Sequence, residues 1–296
     1  MSFWGFKVEI LVNELSLDGQ FNTLEEFYDS LDNFIKVMKI AEEHQIKVLK
    51  KYDLYNNQIT KSQTLRDIIK IRANDKHTRI RSLLLRTSSS EPYWEQDQKH
   101  SSDITYKCKF NDNLYGCSLA EAVERDKTLI SFEHYLFKDK YIKVLRNDVI
   151  TDLFNAINES DFLFYLYSNC SIINAIGLCN CKYKNTRLSF EKFEKQYGFE
   201  QLESNEVEMV LDAFDRFVQK SDWNDVFDDD SLRYKKYSPS RKKDNWFLNT
   251  VYEGMRIDKF RCGNTAVAPL RCFGHRDKDV FYVLRLERDH KISDDG

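Results

Sequence analysis

Apolar residues Leu24, Phe27, Tyr28, Leu31, Phe34, Ile35 and Met38 recur at intervals of three and four after Thr23. That is the period of one helical face, and Thr23 with Glu26 has capping-box spacing, so a helix opens there. Ahead of it, residues 3–12 alternate partially and carry β-branched positions, which predicts a strand, followed by a turn at Asp18-Gly19 where glycine tolerates positive φ. Phe21 is placed to pack on the helix it precedes.

Helical spacing predicts two short helices within 64–85, broken near Asn74-Asp75, and a loop through Thr87-Ser88-Ser89-Ser90 and Pro92. Strands are expected at 106–110, 128–132 and 141–145. Ser118 and Glu121 have capping-box spacing, and helices are expected at 148–157, 161–167, 189–198 and 205–220. In the last of these Val207, Val210, Leu211, Phe214 and Phe217 make one apolar stripe.

The final quarter reads as three strands, 255–262, 269–275 and 280–289, with Arg276-Asp277-Lys278-Asp279 as a tight antiparallel connection. A strict two-residue period puts Val280, Tyr282, Leu284, Leu286 and Arg288 on one face of the last strand, and Phe281, Val283, Arg285 and Glu287 on the other. Strands and helices mix without regular alternation, so the fold class is α+β. The expected organisation is a mixed body over 1–190 and a small antiparallel sheet packed on helices over 191–296.

Composition adds that the 296 residues form an ordered chain, with 42% apolar and 14% aromatic residues and only 9 Gly and 3 Pro, which excludes collagen-like and disordered classes. No run of eighteen apolar residues and no signal-peptide pattern is present, so a cytoplasmic protein without a membrane partner is expected. Seven cysteines, none in Cys-x-x-Cys spacing, read as reduced thiols, and neither metal nor cofactor is expected. The near-neutral balance of −3 conceals an asymmetry: residues 231–291 hold fifteen Lys or Arg against seven Asp or Glu. The acidic run Asp222, Asp225, Asp228, Asp229, Asp230 before them is expected to be a solvated connection.

Cations interleaved with Tyr, Trp and Phe suit a polyanion with stackable bases, because cations neutralise phosphates and rings accept bases. Metal-free RNA cleavage needs cations on the pentavalent phosphate and groups that move protons at the 2′- and 5′-oxygens. Arg271, Arg285 and Arg288 are the candidate phosphate clamp, with Arg261 beside them, and His290 the candidate proton-transfer group, with Glu287 also available. Lys259, Arg261, Arg241, Lys242, Lys243 and Trp246 are the candidate RNA-binding residues. Each arginine taken singly has an ordinary alternative, a surface ion pair with Glu287, Asp289 or Asp277.

The series Lys259-Phe260-Arg261, Leu270-Arg271-Cys272-Phe273 and Val280 through Arg285, Arg288 and His290 resembles the C-terminal strands of RelE-like ribonuclease toxins. That resemblance implies mRNA cleavage, often on the ribosome, and an antitoxin or defence-system partner. Residues 13–21 (Asn-Glu-Leu-Ser-Leu-Asp-Gly-Gln-Phe) and 91–100 (Glu-Pro-Tyr-Trp-Glu-Gln-Asp-Gln-Lys-His) resemble a group of uncharacterised bacterial defence-island proteins. This second resemblance implies a setting and no mechanism.

The leading expectation is therefore a toxin or phage-defence effector that cuts RNA without metal. Two alternatives stay open: a non-catalytic module that binds nucleic acid or protein, and a metal-dependent nuclease using Glu91, Glu95, Asp97, His100 and Asp103.

Overall fold

The computed structural model describes residues 8–70, 75–265 and 268–288. The chain divides into two compact units, Met1–Ile172 and Ile173–Gly296. The division falls earlier than the expected boundary between 190 and 191 because residues just after it are bound into the second unit. Lys182 pairs with Asp215, and the Tyr183 hydroxyl donates to the Leu211 carbonyl and the Asp215 carboxylate.

In chain order the first unit contains β1 (Glu9–Asn13), α1 (Leu24–Glu43), β2 (Lys47–Leu49), β3 (Gln58–Thr60), β4 (Gln63–Thr64), α2 (Leu65–Lys70) and α3 (Asp75–Ser89). It continues with β5 (Tyr106–Cys108), α4 (Ser118–Val123), β6 (Thr128–Ser131), β7 (Tyr141–Arg146), β8 (Val149–Asn155) and α5 (Glu159–Ser168). Its main sheet has the order β2-β1-β6-β8-β7-β5, with the first four strands mutually parallel, β7 antiparallel to β8, and β5 antiparallel to β7. Strands covered on both faces read as near-continuous apolar runs, and Ile10, Leu11, Val12, Leu129 and Ile130 are all buried.

Thr23 caps α1 as expected, its hydroxyl accepting from the Glu26 amide at 3.1 Å. The reciprocal arm is shifted by one residue, since Glu26 accepts from the Asn22 amide rather than from Thr23. Phe21 packs edge-on against Phe27 with ring centroids 5.2 Å apart.

Three local expectations are corrected. The segment 148–157 is strand β8, not helix: Asn147 and Asp148 both adopt positive φ and make the tight turn that returns the chain against β7. The serine run after Thr87 does not end α3, which continues to Ser89; the Ser88 and Ser89 hydroxyls donate to the Leu84 and Leu85 carbonyls one turn back. Ser118 and Glu121 form no capping box; Cys117 holds the cap position of α4, the buried Ser118 hydroxyl accepts from Trp94 Nε1 at 3.1 Å, and Glu121 is buried in polar contacts described below.

The second unit comprises α6 (Ala175–Lys182), β9 (Leu188–Ser189), α7 (Ser204–Val218), α8 (Trp223–Phe227), β10 (Lys235–Lys236), β11 (Asp258–Asn264), β12 (Pro269–Asp277) and β13 (Val280–Glu287). The order is β10-β11-β12-β13-β9, antiparallel except for the β13–β9 pair. Together with the first unit this is the α+β fold expected, with its small C-terminal antiparallel sheet. The segment 189–198 is not a helix but β9 and a single short 3-10 turn, Lys195–Tyr197. The acidic run is likewise structured: Asp222 caps α8, and Asp229 accepts from the Ser231 and Leu232 amides and pairs with Lys220.

One sheet face packs on α7, where Phe214 and Phe217 meet Phe260, and Phe217 also meets Phe281. The other face carries Phe273 and Leu284 under Tyr237, Phe247 and Ile257. The strict alternation expected for β13 is broken by a bulge opposite Phe273 and Gly274, which leaves Leu284 unpaired in the register. A Cβ at Gly274 would collide with the Phe281 ring and the Tyr282 carbonyl, so glycine lets the strands close at the bulge. Among the described residues no helix is long and apolar enough to cross a membrane.

Candidate nucleic-acid interface

Side chains directly opposite one another in an antiparallel ladder share a face. The registers Lys235↔Lys259, Lys259↔Phe273 and Phe273↔Arg285 make one row, and Arg261↔Arg271 with Arg271↔Glu287 make the next. Lys235, Lys259, Arg261, Arg271 and Arg285 therefore stand on the face away from α7. Five cations are gathered there against the row's single carboxylate, Glu287.

They do not form one clamp. Arg285 is buried to 2% exposure, and its Nε and Nη2 donate to the two oxygens of Glu194, each at 3.0 Å. Its Nη1 donates to the Trp246 carbonyl at 2.5 Å, and its guanidinium lies 4.4 Å from the Phe247 ring centroid and 4.5 Å from that of Tyr197. A guanidinium so paired and covered holds the 237–252 segment onto the sheet. Arg288 leaves on the opposite face, toward the start of α7, where its Nε donates to Glu206 at 2.7 Å and its Nη2 to Glu203. Those two carboxylates hold the Arg288 guanidinium above its ordinary range.

Of the other expected residues, Lys259 is buried at 2%, its Nζ 5.5 Å from the Tyr237 ring centroid. Trp246 packs against Phe273 and Tyr197 with centroids 5.2 Å apart in each case, so its ring belongs to this core. Arg241 is exposed and pairs with Asp244, and Lys243 is exposed. Lys242 lies in a short 3-10 turn, and its side chain lies outside the described residues, as does all of His290. His275 is no substitute for it, since its Nδ1 is 3.0 Å from the Arg256 carbonyl and serves as a donor there.

Arg261 differs. It is partly exposed, and among the described residues its side chain has no hydrogen-bond or carboxylate partner. It stands opposite Arg271, and β10 beside it carries the exposed Lys235 and Lys236. Sequence reasoning missed this lysine pair; the basic Tyr-Lys-Lys-Tyr run at 234–237 was its signal.

Four of the five donors expected to form a metal loop in the first unit, all but Asp103, have other partners. Glu95 accepts from the Tyr52 amide, Glu91 from Gln96, and Asp97 pairs with Lys99. His100 is buried with its Nδ1 2.6 Å from Glu121, and its Nε2 accepts from the Gly116 amide, which makes Nδ1 the donor. Burial alone would raise the Glu121 carboxyl, but His100, Arg125 and the amides of Lys99 and His100 outweigh it and hold the group at about 2. No group of three metal-ligating side chains occurs among the described residues.

Glu14 has the opposite environment. It is buried, burial pushes its carboxyl up against the hydrogen bond from the Ser118 amide, and among the described residues its Oε2 has no hydrogen-bond partner. All seven cysteines are free thiols, and burial raises those of Cys108, Cys117, Cys170, Cys179 and Cys272, which makes them poor nucleophiles.

Comparisons of the chain with protein-family models, with curated proteins and with solved structures find no match.

Proposed function

We propose that the second unit is a non-catalytic nucleic-acid-binding module that grips single-stranded RNA in the cytoplasm through its β10–β11–β12 face. The observation that supports this reading is the Arg261 side chain, which lacks a carboxylate partner among the described residues and faces a second arginine, Arg271, across the ladder. Two facing guanidiniums repel one another unless an anion lies between or across them, and a phosphodiester accepts both at once. Exposed Lys235, on the same face as Lys259, adds to the positive surface of that face.

Binding is favoured over cleavage because two of the three clamp arginines are committed to carboxylates, Arg285 to Glu194 and Arg288 to Glu203 and Glu206, on opposite faces of the sheet. The test is incubation of the full chain with fluorescein-labelled single-stranded RNA in EDTA, read by anisotropy and by denaturing gel. Saturable binding that weakens with salt, and intact RNA on the gel, is the expected result. Cleaved RNA would restore the ribonuclease reading, and no binding at low salt would remove the nucleic-acid reading altogether.

A further inference from the structure

A cavity of about 240 Å³ in the first unit has Met38, Ile46, Val48, Leu83 and Pro92 as its apolar lining, and Lys50, Thr87 and Ser90 line it together with the charged groups named below. Ile46, Val48 and Lys50 are spaced by two on and beside β2, so their side chains project on the same face of the extended chain. Lys50 is 3% exposed, and among the described residues its Nζ has no hydrogen-bond or carboxylate partner, only the Tyr93 ring at 5.5 Å. The Thr87 hydroxyl, also buried, has no hydrogen-bond partner among the described residues. Two unpaired donors thus meet apolar walls in one cavity, an arrangement costly for a folded chain by itself.

We propose that this cavity binds a small apolar monocarboxylate, its carboxylate held by the Lys50 ammonium and the Thr87 hydroxyl and its hydrocarbon body by Met38, Ile46, Val48 and Leu83. An anion supplies the acceptors that both donors lack, and the apolar lining excludes a strongly polar body. Charged groups around the cavity are Glu42 of α1 and Arg86 of α3, which pair with one another at 3.2 Å, and Glu91, which accepts from Gln96. None of them pairs with Lys50. Burial lowers the Lys50 amine to about 8, so binding an anion near that pH draws a proton onto it.

The test uses hexanoate, with hexanol as the uncharged counterpart, titrated calorimetrically into the full chain. Hexanoate should bind more tightly than hexanol at pH 7, and at pH 8 binding should take up about half a proton, measured in buffers of different ionisation enthalpy. Lys50→Met, which keeps an apolar stem in place, should lose hexanoate affinity by about tenfold or more and retain hexanol binding. Hexanol binding as tight as hexanoate, unchanged hexanoate affinity in Lys50→Met, or no heat with millimolar hexanoate would each overturn the proposal.

Discussion

Arg261 stands directly opposite Arg271 in the β11–β12 ladder, and Glu287 stands opposite Arg271 on its other side. The row reads cation, cation, carboxylate across three strands. The outer arginine is the member left for a ligand, and replacing it by Gln should weaken RNA binding about equally for all sequences, since phosphate contacts carry no base information. Anisotropy with two unrelated RNA sequences checks this; loss confined to one sequence would point to a base contact instead.

Arg285 should behave as a structural residue. Arg285→Ala removes a buried guanidinium from Glu194 and from three rings, and should cost about 2 kcal/mol or more of stability in the second unit. Arg288→Ala removes a largely exposed guanidinium and leaves the buried Glu206 still accepting from the Glu203 amide, so it should cost less than Arg285→Ala. Urea unfolding of both variants distinguishes them, and equal costs would contradict the assignment.

Glu121 should govern acid stability of the first unit. Its folded carboxyl is held at about 2 against an ordinary 4.5, so its contribution is complete above 4.5 and is lost as the pH falls toward 2. Glu121→Gln should destabilise by about 3 kcal/mol at pH 7, because Arg125 loses a buried partner, and the penalty should shrink toward pH 2. A penalty independent of pH would show that shape rather than charge matters there.

Glu14 runs the other way. Its carboxyl is raised on folding, so its ionised form opposes folding increasingly as the pH rises above 4.5. Glu14→Gln should therefore raise the melting temperature at pH 7 and leave it nearly unchanged at pH 4. A lowered melting temperature at pH 7 would mean that the ionised carboxylate is the form the fold uses.

Strong local patterns carried through from sequence to structure. The stripe from Leu24 to Met38 is α1, the stripe from Val207 to Phe217 is α7, and three C-terminal strands form as expected, the first of them displaced by two to three residues toward the C-terminus. Elements set by tertiary partners did not. The segment 148–157 mimics helical spacing, and only the pairing of β8 with β7 and β6 makes it a strand. The side-chain phase of β13 depended on a bulge that no single-strand period encodes. For the site, the placing of cations on neighbouring strands was legible, but their partners were not: Glu194 is 91 residues from Arg285, and Glu206 is 82 from Arg288. Lys50 gave no sequence signal beyond sitting beside Lys51, because what distinguishes it is burial.

The salt dependence of RNA binding tests the central claim most directly. For the native chain and the double variant Arg261→Gln/Arg271→Gln, the logarithm of affinity is plotted against the logarithm of salt concentration. Loss of the one phosphate held at this pair should make the slope on a single strand shallower by about 0.7. An unchanged slope, with the variant folded and binding as tightly as the native chain, would contradict a phosphate-gripping role for this arginine pair.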